Sequence, residues 1–260
     1  MNPDIAATAL AAAREAAAAA ADVIRHYWRR GVEVELKSDA TPVTVADREA
    51  EQAIRRILHA ALPQASIYGE EFGLDGERGG LLWLVDPLDG TKSFVRRTPF
   101  FSTQIALMRG GRFVLGVSSA PAYGELAWAE IGSGAFLDGK AIRVSAVPEL
   151  AGAIVSTGNL KTLAASPAWA RFGGLIGGIN RIRGYGDFVH YHLLARGALD
   201  VVIESDVNIL DIAALTVIIA EAGGRFTDLS GAPVGLATTT VLATNGALHA
   251  PVLEKIRFGS

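Results

Sequence analysis

The chain has 260 residues, half of them apolar and a fifth charged, with a formal net charge of −3 and no cysteine. That length can bury a large core in one or two domains, and the composition is that of an ordinary globular enzyme. The charge implies no general affinity for nucleic acid or anionic membranes, and the lack of cysteine excludes disulfides, thiolate catalysis and zinc–sulfur sites.

The Ala-rich N-terminus predicts one long helix from about Pro3 to Arg30, ended by Gly31, because Ala, Arg and Glu are strong helix formers. Leu10, Ala17, Ile24 and Trp28 fall near one face of it. Asp4, Arg14, Glu15 and Asp22 interrupt its apolar character, so no signal peptide is expected and no bilayer span. Val32 to Leu36 alternates as a strand does, and a second helix is expected from about Arg48 to Ala61, closed by Pro63. Leu81 to Val85 is an apolar run that reads as a buried strand. Strands follow at Gln104 to Arg109, Arg112 to Ala120 and Glu125 to Ile131, with a turn at Asp138-Gly139. This half, residues 1–145, predicts a meandering sheet backed by two helices. Residues 146–260 change to strand–helix alternation and predict an α/β unit: a strand from Ala153, a helix from Asp187 to Arg196, a strand at Val201 to Ile203, a helix from Ile212 to Ala222, and late strands near Arg225-Phe226 and Thr240 to Ala243.

The densest chemistry lies in Asp86-Pro87-Leu88-Asp89-Gly90-Thr91. Two carboxylates stand three residues apart after a buried strand. Pro87 fixes a φ angle between them, and Gly90 permits a tight turn and close approach of a ligand. Carboxylates and backbone oxygens suit a hard divalent cation, and amides at a turn entering a helix suit phosphate. Alone, the segment would read as an ordinary Asp-Gly turn. Its company argues otherwise: Gly69-Glu70-Glu71 upstream, then Asp211-Ile212-Ala213-Ala214 and Glu221-Ala222-Gly223-Gly224 far downstream.

This pattern resembles the inositol monophosphatase family of Mg²⁺-dependent phosphatases, over nearly the whole chain from Lys37 to Gly231. The family's first signature is Asp-Pro-hydrophobic-Asp-Gly-Thr followed by Asn or Ser and Phe; here Lys92-Ser93-Phe94 follows Thr91. The second begins Trp-Asp, and here Leu210 replaces the tryptophan before Asp211. That departure costs aromatic packing and removes no ligand. The resemblance implies a layered αβαβα sandwich, with the site where the two halves meet, and a homodimer. It implies two or three Mg²⁺ ions held by Glu70, Asp86, the Leu88 carbonyl, Asp89 and Asp211, with Asp86 bridging. It implies a water that attacks phosphorus in line, positioned by Glu70, Thr91 and Asp47, and a phosphate seated on the Gly90 and Thr91 amides. Lys37 matches a family lysine near the metals, although a solvated lysine after a strand is equally ordinary.

Other assignments compete at single residues. Asp211 and Asp187 could cap helices, Thr91 could cap the helix it begins, and Glu70-Glu71 could be a surface acidic pair. No histidine falls in a metal-binding spacing, so His26, His59, His190, His192 and His249 read as structural or surface residues, His190 or His192 as pocket lining. Arg96-Arg97 reads as a solvated loop. For the substrate, Arg183-Gly184-Tyr185-Gly186-Asp187-Phe188 resembles family members acting on histidinol phosphate more than those preferring inositol phosphate. Asp187 and Glu204 would complement its ammonium and imidazole. The expected activity is thus a Mg²⁺-dependent phosphate monoester hydrolase of the histidinol-phosphatase type, serving histidine biosynthesis in the cytoplasm on a small phosphorylated metabolite. Inositol-1-monophosphatase is the alternative, and a non-catalytic metal- or phosphate-binding regulator the more remote one.

Overall fold

A computed structural model describes residues 3–31, 34–36, 42–77 and 79–258. Helix α1 (Pro3–Arg30) carries a stripe of fully buried alanines, Ala9, Ala13, Ala16 and Ala20, whose spacing of three and four follows the helical turn. Small side chains there let α2 (Val45–Ala61) lie close against it. Between them a short ladder pairs β1 (Val34–Leu36) with β2 (Pro42–Thr44). Next come β3 (Ser66–Gly69), β4 (Gly73–Asp75), β5 (Leu81–Asp89) and the one-turn α3 (Thr91–Val95). The meander β6 (Ser102–Arg109), β7 (Arg112–Ala120), β8 (Glu125–Glu130), β9 (Gly134–Leu137) and β10 (Lys140–Ile142) follows. Asp138 and Gly139, both with positive φ, make the last tight turn.

The remainder alternates β11 (Ile154–Thr157), α4 (Lys161–Ala164), α5 (Ala168–Ile176), β12 (Arg181–Arg183), α6 (Asp187–Ala195), β13 (Val201–Ser205), α7 (Ile209–Glu221), β14 (Arg225–Thr227), β15 (Thr240–Thr244) and α8 (His249–Ile256). Strands β3 to β10 form one eight-stranded sheet, and β11 to β15 form a five-stranded one in the order β12-β11-β13-β15-β14.

Strand alternation sorts the core. Trp83, Val85, Ile105, Leu107, Leu115 and Val117 turn towards α1 and α2. Leu82, Leu84, Ala106 and Met108 turn the other way, onto α6 and α7 and the near face of the smaller sheet. The far face of that sheet, with Val155, Val201, Ile203 and Leu242, is covered by α4, α5 and α8. Five layers result, helix–sheet–helix–sheet–helix, as the family resemblance implies. No helix among the described residues is long and apolar enough to cross a membrane.

The buried α7 lies against the sheet because Gly116 on β7 has no side chain. A Cβ there would stand 2.2 Å from the Ala214 carbonyl oxygen. Leu210, in place of a tryptophan, is buried in this middle layer.

Candidate active site

The site grows from the end of β5. Asp86 continues the alternation of Leu82 and Leu84, so its side chain emerges on the α7 side of the sheet. Pairing with β6 continues past Pro87, with Asp86 opposite Gln104 and Asp89 opposite Ser102, but the register shifts between them. Proline inside a strand belongs at such a bulge. Two contacts hold it: Thr103 Oγ1 donates to the Pro87 carbonyl at 2.8 Å, and the Leu88 amide donates to Asp86 Oδ1 at 3.0 Å. Gly90 then turns with φ 84°, and a Cβ there would lie 2.4 Å from the Phe100 carbonyl oxygen. The segment is therefore a bulged strand end followed directly by α3, rather than a free turn.

Asp211 meets this segment from α7. The helix begins at Ile209, three residues earlier than the sequence suggests, with Asn208 as its N-cap. Asp211 is the third helical residue, and its Oδ2 accepts the Asn208 amide at 2.9 Å in a capping box. Its role as a simple N-cap is thus corrected, and its other oxygen is left for the cleft. Asp86, Asp89 and Asp211 each bring one carboxylate oxygen within 4.8 Å of the others. Burial, then the charges of Glu70, Asp89 and Asp211, push Asp86 well above the usual carboxylate range. Burial, Asp211 and Asp187 do the same to Asp89. Burial first, with Glu70 and Glu204 adding to it, pushes Asp211 up to about 7 despite the Asn208 amide. Three clustered carboxylates that resist ionisation together are an all-oxygen donor set for a hard divalent cation.

Glu70 lies outside that tight trio, exposed on the cleft wall just past β3, with its charge bearing on Asp86 and Asp211. Its loop is held from below by a residue that sequence reasoning missed. Glu51 on α2 is fully buried; it takes the Glu71 amide at 2.7 Å, the Phe72 amide at 3.3 Å and Arg55 Nε at 2.7 Å. Arg55 also donates to the Gly73 carbonyl at 2.6 Å. Gly69 leaves room for that carboxylate, since a Cβ would fall 1.9 Å from Glu51 Oε1. The available signal was helical spacing: Glu51 stands one turn after Asp47, on the same face.

Asp47 is buried at the N-terminus of α2, which starts at Val45 with Thr44 as N-cap. Its Oδ2 takes the Thr44 amide at 2.8 Å and the Thr44 hydroxyl at 2.6 Å. Its Oδ1 faces the Thr91 hydroxyl at 3.0 Å, which is also 3.0 Å from the Leu88 carbonyl. Gly90, not Thr91, is the N-cap of α3. Lys37 lies outside the described residues.

Glu70, Asp86, Leu88, Asp89, Gly90, Thr91, Asp187 and Asp211 line one cleft of about 910 Å³. Its lining also includes Asp206, making six carboxylates against one cation, Lys92, among the described residues. Such a surface would repel a phosphate unless cations reverse the charge. Asp187 begins α6 with φ 45°, after Gly186 at φ 69° and ψ −179°. The side chain makes no cap; strained backbone at a cleft is a mark of functional placement. Burial, then Glu204, push Asp187 up to about 6. Glu204 sits behind the cleft, on a small cavity of about 90 Å³ that it shares with Asp89, Asp187 and Asp211. It accepts from Tyr191 Oη at 2.8 Å and the Asn159 amide at 3.1 Å. His190 Nε2 is 3.2 Å from its Oε2, near enough for an ion pair though poorly aimed for a hydrogen bond. Burial alone would raise Glu204, but these partners win and hold it below the ordinary value.

His190 and His192 are buried and do not line the large cleft, which corrects the pocket-lining reading. Arg97 is not simply solvated: it lies over the Trp28 ring at 5.0 Å and donates to the Trp28 carbonyl.

Residues 6–259 match the model of the inositol monophosphatase family. The chain belongs to that family. Its activity is that of a phosphatase, as the sequence predicts. It is 42% identical over 231 residues to a histidinol-phosphatase of Mycobacterium tuberculosis, covering 87% of this chain and 88% of that one. It is 38% identical to a histidinol-phosphatase of Streptomyces coelicolor, covering 91% of each. Among solved structures, the extragenic suppressor protein suhB of Bartonella henselae superposes with a TM-score of 0.87 at 30% identity, over 96% of this chain and 98% of that one.

Proposed function

We propose that this phosphatase hydrolyses histidinol phosphate, with two or three Mg²⁺ ions bound by Asp86, Asp89, Asp211, Glu70 and the Leu88 carbonyl. The metal reading is carried by the convergence of Asp86, Asp89 and Asp211 within 4.8 Å. Cations there would supply charge neutralisation and acidify water. The protein's own part is placement. Asp47, fixed by Thr44, accepts the Thr91 proton, and the Thr91 oxygen is left to accept from the attacking water. Glu70 faces the same water from its Glu51-braced loop. Gly90 and Thr91 offer amides to the phosphate, where a side chain at Gly90 would collide with backbone.

The substrate reading rests on Asp187. It is an anion at the rim of both cavities, placed to meet an ammonium or imidazolium, and Glu204 reinforces its field from behind. The histidinol-phosphatase relatives at 42% and 38% identity support the same choice. Inositol 1-phosphate offers only neutral hydroxyls to that wall. The reading carries with it a homodimer acting in the cytoplasm in histidine biosynthesis.

The test compares kcat/KM for histidinol phosphate and inositol 1-phosphate in Mg²⁺, in wild type and Asp187→Ala. Losing one charge-assisted contact costs about 1.5–3 kcal/mol, so the variant should lose roughly ten- to a hundredfold on histidinol phosphate and little on a small generic phosphate ester. A wild-type preference for inositol 1-phosphate, or equal losses on every substrate, would replace this reading with the inositol monophosphatase one.

A further inference from the structure

A line of buried polar side chains runs from the candidate metal ligand Asp89 to the molecular surface. Ser102 Oγ donates to Asp89 Oδ2 at 3.0 Å. Gln104 Nε2 donates to Ser102 Oγ at 2.8 Å and to Ser118 Oγ at 3.0 Å. Ser118 Oγ is 2.8 Å from His192 Nε2, and His192 Nδ1 is 3.0 Å from Glu125 Oε2. Glu125 meets solvent and Arg196 Nη1 at 3.2 Å. Ser102, Gln104 and Ser118 are wholly buried and His192 almost so.

The sheet dictates this line. Ser102 and Gln104 stand two apart on β6, so they share the face towards α6 and α7. Register puts Ser102 opposite Asp89, and Gln104 opposite Asp86 on one side and Ser118 on the other. Helix α6 then lowers His192 onto Ser118.

With His192 neutral and its proton on Nδ1, the donors run in one direction. Nδ1–H of His192 donates to Glu125, which leaves Nε2 to accept the Ser118 proton. Ser118 then accepts from Gln104, and Gln104 gives its second proton to Ser102. Ser102 is thereby left with its own proton for Asp89. Turning the Gln104 amide over would make Ser102 a donor to Gln104 and set its lone pairs against the Asp89 carboxylate. The observed orientation leaves Gln104 Oε1 buried without a partner. A buried acceptor without a partner costs about 1–3 kcal/mol, and the line persists despite it.

We propose that Gln104, Ser118 and His192 are positioning residues for the metal site: they fix the Ser102 hydroxyl, which holds Asp89 Oδ2 and turns the other oxygen to the cation. The line does not carry protons, because passage through the amide nitrogen would require the unstable imidic form of Gln104. This role rests on Asp89 holding a cation, as proposed above. Outer partners of metal ligands commonly matter in this way, and their loss costs roughly ten- to a hundredfold in metal affinity or activity.

The test is direct Mn²⁺ binding to the substrate-free protein, followed by electron paramagnetic resonance of free Mn²⁺, beside the thermal midpoint of the metal-free form. Two variants are used, Ser118→Ala and Gln104→Met. Both should weaken Mn²⁺ binding roughly tenfold or more, although neither side chain hydrogen-bonds to the cluster. Gln104→Met also removes the unpartnered oxygen, so its metal-free midpoint should hold or rise while its affinity falls. A purely structural line would instead lower the midpoint and leave affinity unchanged, and that result overturns the proposal. If Gln104→Met does not fold, the smaller Ser118→Ala change decides. A wild-type chain that fails to bind Mn²⁺ would remove the cation from Asp89, and the positioning role with it, whatever the substrate preference proves to be.

Discussion

The Thr91 hydroxyl stands between Asp47 and the Leu88 carbonyl, 3.0 Å from each, so its one proton is committed inside the protein. Its oxygen remains available on the cleft side. If Thr91 positions the attacking water as proposed, its loss should appear in turnover more than in substrate binding. Thr91→Ala should therefore lower kcat by roughly ten- to a hundredfold with little change in KM, and Thr91→Ser should restore most of it. An alanine variant with unchanged kcat and raised KM would make Thr91 a phosphate contact only. Gly90, next to it, tolerates no such experiment, since any Cβ would meet the Phe100 carbonyl at 2.4 Å.

Elements place these residues, and one contact decides how closely α7 brings Asp211 to Asp86. Gly116 on β7 faces the Ala214 carbonyl, so a methyl group there meets backbone that cannot swing aside. Gly116→Ala should cost about 1–3 kcal/mol and lower the thermal midpoint by several degrees. Gly173→Ala is the control: that glycine is exposed in α5 with open space around it, so alanine should stabilise by up to about 1 kcal/mol. Equal effects from the two would show that α7 is free to shift. Much of this level was legible from pattern alone. The long alanine-rich helix, the meander and the Asp138-Gly139 turn are local, and periodicity or turn chemistry shows them. The start of α7 was missed because Asn208, Ile209 and Leu210 lack helical periodicity while Asn208 supplies the cap. Strand β5 was expected to stop at Val85 because Pro87 normally ends pairing; the Thr103 hydroxyl that holds Pro87 comes from another strand. The Glu51 brace and the line from Asp89 to His192 join residues 13 to 74 positions apart in their longest links, and no local pattern reports such pairs.

At the scale of the whole molecule, the acidic cluster lies where the larger sheet meets the middle helical layer, so its charge state bears on global stability. Asp86 and Asp89 are pushed far up by burial first, and Asp211 is pushed to about 7. The metal-free folded chain therefore binds more protons than the unfolded chain does above the ordinary carboxylate range. The corresponding stability is fully present below that range and is lost as pH rises through about 7. Divalent cations compete with those same protons, because carboxylates must be ionised to bind them. Mg²⁺ should thus stabilise the fold weakly at acidic pH and strongly at alkaline pH. At about a hundred times its dissociation constant, a bound ion contributes roughly 2.7 kcal/mol, which corresponds to a midpoint rise of several degrees in a chain of this size. Thermal melts with and without Mg²⁺ on either side of neutrality measure the difference. The Mg²⁺-dependent rise should be larger on the alkaline side, and Asp211→Asn, which removes one of the three linked groups, should shrink that pH dependence. A rise that is the same at both pH values would mean that the cation does not displace protons from Asp86, Asp89 and Asp211, and the cluster would lose its standing as the metal centre.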